Sequence, residues 1–181
     1  MAWVVAAAAS ALSLYSIGLI YEGYFASGYS GFLTAPLIDR PAAERAFTKL
    51  PATATAAQRS VATERLLRAD PANPESWGAA AYSDYAEHGR LTPVGVEALD
   101  RSYLMGFFDR QIAVWRVTFA LDHWDQLGSR TRRDATLEAK FALKDPTLGP
   151  QLRQRLRTVT NPAGRLAALF MLSTDRLPAS D

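Results

Sequence analysis

The sequence predicts an all-α protein in which antiparallel helix pairs stack into a short solenoid, preceded by one transmembrane helix. Three observations carry that expectation. Residues 2–21 form an uncharged apolar run. From Ala42 onwards apolar residues recur at helical spacing between proline and glycine punctuation. No stretch sustains the two-residue alternation of a half-buried strand bounded by turns. The chain has 181 residues, enough for one domain with an appendage. Apolar residues are 49% and charged residues 21%, which sets it apart from disordered and collagen-like chains.

The first element is the run AWVVAAAASALSLYSIGLIY, ended by Glu22. About 20 helical residues reach about 30 Å, the thickness of a bilayer's hydrocarbon core. Tyr21, Tyr24 and Phe25 follow at the place where aromatic rings favour the headgroup zone. Ala2, Ala6, Ala9, Ser13 and Ser16 share one seam, and small residues let membrane helices approach closely. A cleaved signal peptide and a buried helix of a water-soluble fold are the competing readings. The signal peptide would want a positively charged start, which Met1-Ala2-Trp3 lacks. No Lys or Arg precedes Arg40, so the positive-inside rule has little to act on. The expectation is a single-pass segment in a bacterial inner membrane, with the body on the periplasmic side. Residues 23–41 hold Gly23, Gly28, Gly31, Pro36 and Pro41 and read as a juxtamembrane linker.

The body, 42–173, is expected to hold helices at 42–50, 56–69, 74–88, 93–105, 110–125, 130–144, 148–159 and 162–173, with 174–181 as a tail. Asn73-Pro74, Thr92-Pro93 and Asn161-Pro162 each set a capping side chain before a proline suited to the first helical position. Gly89, Gly106, Gly128 and Gly149 are expected at helix stops in the left-handed conformation. Around 110–125, Ile112, Trp115 and Phe119 make one apolar stripe, with Val114, Val117, Leu121 and Trp124 beside it. Such a helix belongs at the centre, covered on two sides. Leu137 and Phe141, then Leu166, Leu169 and Phe170, are expected to continue the packed stripes.

Three helix ends resemble one another: LLRADP at 66–71, YLMGFFDR at 103–110 and FALKDP at 141–146. Their aspartates, Asp70, Asp109 and Asp145, lie 39 and 36 residues apart, and Trp77 and Trp115 lie 38 apart. Periods of about 34–47 residues are those of helix-pair repeats. The segment LLRADPANPESWGAAAY resembles the junction of two tetratricopeptide repeats, with Asp-Pro, Asn-Pro, Trp77 and the small pair Ala80-Ala81. The spacing exceeds that family's period of about 34, and Asp109 lacks the following proline. The resemblance covers 66–106 and degenerates over 107–173. It implies stacked helix pairs with an inner surface that holds a peptide or partner protein. The segment ALDRSYLMGFFDRQIAVWRVTFALDHW is also similar to small bacterial helical-repeat proteins, some encoded beside polysaccharide genes.

Catalysis is not expected. The chain has no cysteine and two histidines, which removes disulfides, iron–sulfur ligation and zinc ribbons. Asp84, Glu87 and His88, and Asp122, His123 and Asp125, cluster without the Glu-x-x-His spacing of a dimetal bundle, and HExxH, GxSxG and phosphate-loop motifs do not occur. No cofactor is expected. Residues 129–181 carry ten Lys or Arg and five Asp or Glu, whereas 1–128 carry ten and thirteen. Arg130, Arg132 and Arg133, joined by Arg153, Arg155 and Arg157 if their helices are neighbours, would suit an acidic lipid, an anionic glycan or an acidic protein. Nucleic acid is not an expected partner. Trp77, Tyr82, Tyr85, Tyr103, Arg130, Arg132 and Arg133 are the candidate contact residues, being of the types enriched at interface centres. The expected function is binding and scaffolding in a cell-envelope complex. The alternative is an accessory subunit of a membrane complex, docked mainly through its transmembrane helix and linked to polysaccharide synthesis or export.

Overall fold

The computed structural model describes residues 36–51 and 53–175. The expected transmembrane helix, including Ala2, Ala6, Ala9, Ser13 and Ser16, lies outside the described residues, as do Tyr21, Tyr24 and Phe25. The last six positions of the tail also lie outside them. Among the described residues no helix is long and apolar enough to cross a membrane.

The described chain is all-helical. Its α-helices are α1 (Pro36–Thr48), α2 (Ala56–Ala69), α3 (Pro74–His88), α4 (Pro93–Met105), α5 (Ala113–Asp122), α6 (Ser129–Lys144), α7 (Leu148–Leu156) and α8 (Pro162–Asp175), with a short 3-10 turn at Trp124–Gln126. Among the described residues there is no strand.

The caps explain most boundaries. Thr55 and Gln58 form a reciprocal capping box: Gln58 N–H donates to Thr55 Oγ1 (3.3 Å), and Thr55 N–H donates to Gln58 Oε1 (2.9 Å). Asn73 accepts from Glu75 N–H (2.9 Å), Thr92 from Val94 N–H (3.2 Å) and Asn161 from Gly164 N–H (3.0 Å), as the Asn-Pro and Thr-Pro pairs predict.

The repeated aspartates also have a local role. Asp109 Oδ1 accepts from Gln111 N–H (2.9 Å), and Asp145 Oδ1 accepts from Thr147 and Leu148 N–H (2.9 and 3.0 Å). Each starts the turn that leads into the next helix. The Leu148 N–H bond is the main reason the Asp145 carboxyl lies below the usual carboxylate range, and Arg110 adds to it. Asp70 differs, pairing with Arg40 (3.0 Å).

Three boundary expectations need correction. α1 begins at Pro36, six residues early, and runs through Pro41, which has no N–H to give the preceding turn. The expected helix 110–125 ends at Asp122, and the chain breaks at His123 into the 3-10 turn. Of the four glycine stops only Gly89 is left-handed, at φ 67°. Gly106 is extended, Gly128 precedes α6, and Gly149 lies inside α7.

Successive helices pack on one another from α1 to α4, and α5 packs against α6, α7 and α8, so the most apolar helix is central as expected. One apolar cluster joins α5 to α8 through Val117, Leu121, Leu152, Leu156 and Met171. A second joins α3 to α6 through Ala81, Leu99, Phe119 and Ala135. Trp124 packs against both clusters.

The stripes expected at 137–141 and 166–170 are not buried. α6 turns Ala135, Ala139 and Ala142 inward and leaves Leu137 and Phe141 exposed. α8 buries Gly164, Ala168 and Met171, while Leu166, Leu169 and Phe170 are exposed. The reason is backbone proximity. On α8, a Cβ on Gly164 would stand 1.8 Å from the carbonyl oxygen of Leu121, so α8 meets α5 through the face that carries Gly164, Ala168 and Met171.

Candidate functional site

α3 carries Glu75, Ala79 and Tyr82 at spacings of four and three, hence on one face. Opposite it, Ile112 and Trp115 lie one helical turn apart at the start of α5. Phe47 at the end of α1 closes the third side. Together these six residues line a groove of about 240 Å³.

The aromatic wall of the groove is fixed from behind. Trp115 stacks on Phe119, four residues on, with centroids 4.9 Å apart and planes at 17°. Phe119 is buried, and its edge contacts Tyr82 (6.5 Å), Tyr85 (6.0 Å) and His123 (4.6 Å). Gly78 lets the indole of Trp115 lie against the backbone of α3, because a Cβ there would be 2.9 Å from Cζ3. Despite this support, Tyr82 and Trp115 remain 40% and 36% exposed.

The groove continues into a polar half of about 390 Å³ lined by Arg40, Asp70, Asn73, Glu75, Asp109 and Gln111, among others. Glu75 belongs to both halves. Arg40 is already engaged, with Glu44 at 2.8 Å and Asp70 at 3.0 Å. Burial raises the Glu75 carboxyl above its usual range, and the negative charges of Asp109 and Glu44 add to the shift.

The expected contact residues divide clearly. Tyr82 lines the groove. Tyr85 supports it from behind, half-buried between Phe119 and His123 (4.4 Å). Trp77 lies on another face of α3, where its indole N–H donates to Pro71 O (2.7 Å) and Arg101 covers its ring at 4.8 Å. Tyr103 is buried, which corrects its expected place at the surface. Its ring lies under the Arg116 guanidinium (4.2 Å), its hydroxyl has no hydrogen-bond partner among the described residues, and burial, then Glu138, push its pKa well above the usual value.

Arg130, Arg132 and Arg133 sit at the start of α6 and line neither half of the groove. Arg130 and Arg133 approach Asp134 (3.9 and 3.5 Å). Arg132 donates to the Trp124 carbonyl (2.9 Å).

The two acidic and histidine clusters have structural duties. Asp84 accepts from the Thr92 N–H (2.8 Å) and hydroxyl (2.7 Å), fixing the start of α4. Asp122 does the same for Thr160 (2.8 and 3.0 Å). Burial lowers the pKa of His123, against the opposing pull of Asp122 and Asp125.

A broader depression of about 800 Å³ lies beside Arg90, Thr92, Glu97 and Asp100. Its carboxylates and amide are already used: Glu97 pairs with Arg101 (2.8 Å), Asp100 accepts from Thr131, and Gln126 accepts from Leu91 N–H (2.9 Å). It has no aromatic wall, so the smaller groove is the better site.

Phe47, Glu75, Asp109, Ile112 and Trp115 were not among the expected contacts. Trp115 had a signal in its 38-residue spacing from Trp77. Phe47 had none, because its role depends on where α1 docks. Comparison of the chain with protein-family models, with curated proteins and with solved structures gives no match.

Proposed function

We propose that this protein is a membrane-anchored scaffold whose helical body, a degenerate tetratricopeptide-like stack, holds a peptide segment of an envelope protein. Helix pairs α1/α2, α3/α4 and α5/α6 are the repeating units of this reading. The first helix of each pair lines the groove, as the inner surface of such a stack would require. The observation that carries the reading is the pair Tyr82 and Trp115, large aromatic rings held rigid by Phe119 yet left partly open to solvent. Rigid aromatics of this kind lose little conformational entropy on binding and dominate interface energies.

The uncharged run at 2–21 supports attachment to a bilayer, which would hold the groove near its target and strengthen a weak contact through high local concentration. A bacterial inner membrane with the body in the periplasm is the setting that fits this run.

The test is co-purification of bound proteins from membranes in mild detergent, using the full chain, Trp115→Ala and a chain lacking residues 1–22. Loss of partners with Trp115→Ala and their retention by the shortened chain supports the scaffold. Retention by Trp115→Ala with loss on removal of 1–22 replaces it with an accessory subunit docked through its membrane helix.

A further inference from the structure

The two halves of the groove differ in chemistry and meet at one residue. Phe47, Tyr82 and Trp115 make the apolar half; Glu75 and Asp109 dominate the polar half. Arg40 is the cation lining that half, and it is held by Glu44 and Asp70. Among the described residues neither Glu75 nor Asp109 forms an ion pair. Asp109 uses Oδ1 on the N–H of Gln111 (2.9 Å).

We infer that the groove takes a cationic, apolar peptide segment, with a Lys or Arg side chain against Glu75 and Asp109 and an adjoining large apolar side chain between Tyr82 and Trp115. This rests on the peptide-binding reading and specifies its ligand. The upward shift of the Glu75 carboxyl fits it, because a partly buried carboxylate beside a second carboxylate gains from an incoming cation.

Charge complementarity also excludes other occupants. Acidic lipid headgroups and anionic glycans would be repelled by the same two carboxylates. The chain's own first 35 residues contain no Lys or Arg side chain. A peptide with only apolar side chains would leave the polar half unmatched.

The test uses the full chain in uncharged detergent micelles and fluorescence anisotropy of three labelled nonapeptide pools. The pools carry Lys or Arg, Gln, or Glu at the central position, each followed by Leu or Phe. The basic pool is expected to bind at least about tenfold more tightly than the Gln pool, with a preference that shrinks as salt rises. The double substitution Glu75→Gln with Asp109→Asn is expected to abolish the preference for the basic pool. The salt series on the unmodified chain gives the same information should the double variant misfold.

Equal or tighter binding of the Gln or Glu pool, or a salt-independent preference, overturns the inference. If that binding is still lost in Trp115→Ala, the peptide-binding reading stands without it. Failure of all pools to bind at up to about 1 mM overturns both.

Discussion

Arg116 and Glu138 form an ion pair with both side chains wholly removed from solvent. Arg116 Nε donates to Glu138 Oε2 at 3.0 Å, and Nη2 donates to Oε1. The guanidinium also donates to the carbonyls of Ser102 (2.7 Å), Gly106 (2.7 Å) and Phe107 (3.2 Å). Ser102 in turn donates its hydroxyl to the Pro74 carbonyl (2.8 Å). One arginine on α5 therefore links α6, the end of α4, the loop after it and the first residue of α3. This is the frame behind the groove.

Replacing Arg116 alone should be costly. Arg116→Met leaves the Ser102, Gly106 and Phe107 carbonyls and the buried Glu138 without their donor, and a broken buried pair costs about 3–5 kcal/mol. Arg116→Met with Glu138→Leu also removes the unpaired carboxylate and should recover part of that loss, the three carbonyls still lacking their donor. Urea unfolding of the full chain measures both. A single variant as stable as the parent would show that the pair contributes nothing.

Glu138 should also shape the dependence of stability on pH. Burial, opposed in part by Arg116, raises its carboxyl from 4.5 to about 7. The unfolded chain then releases this proton at lower pH than the folded chain does. The contribution is complete below pH 4.5 and is lost as pH rises towards about 7. Glu138→Gln should remove that part of the slope. Parallel pH–stability curves for the two proteins would refute this.

His123 acts in the opposite direction. Its pKa lies below the ordinary 6.5 because the ring is buried beside Tyr85 and Phe119. Its contribution is present above 6.5 and is lost as pH falls through the lowered folded value. His123→Gln should flatten the acid side of the thermal-midpoint curve. An unchanged acid limb would mean that His123 titrates normally.

Gly78→Ala tests the seat of Trp115. The new methyl would meet Cζ3 at 2.9 Å, so the indole must leave its stack on Phe119 or α3 must move away. Overpacking of this kind costs about 1–3 kcal/mol. The near-ultraviolet circular dichroism from the stacked rings should weaken at the same time. A variant with the parent's stability and spectrum would show that the ring is not held against α3.

The helices were legible because their signals are local. Asn73, Thr92 and Asn161, each before a proline, satisfy backbone groups within a turn, so sequence neighbours suffice. The centrality of α5 was legible too, since apolar residues cover so much of its surface.

The inward faces of α6 and α8 were not legible from size and hydrophobicity. On α8 the close approach of Gly164 to the Leu121 carbonyl set the face of Gly164, Ala168 and Met171 inward and left Leu166, Leu169 and Phe170 outside. Arg116 reads in sequence as an ordinary surface charge, because its partners are spread over residues 102–138. Phe47, Glu75, Asp109 and Trp115 become one site only when α1, α3 and α5 are brought together. The sequence by itself determined an all-helical chain, its caps and its uncharged leading run. Tertiary structure decided which faces meet and which charges share a groove, because those energies depend on distances between residues that the chain keeps far apart in order.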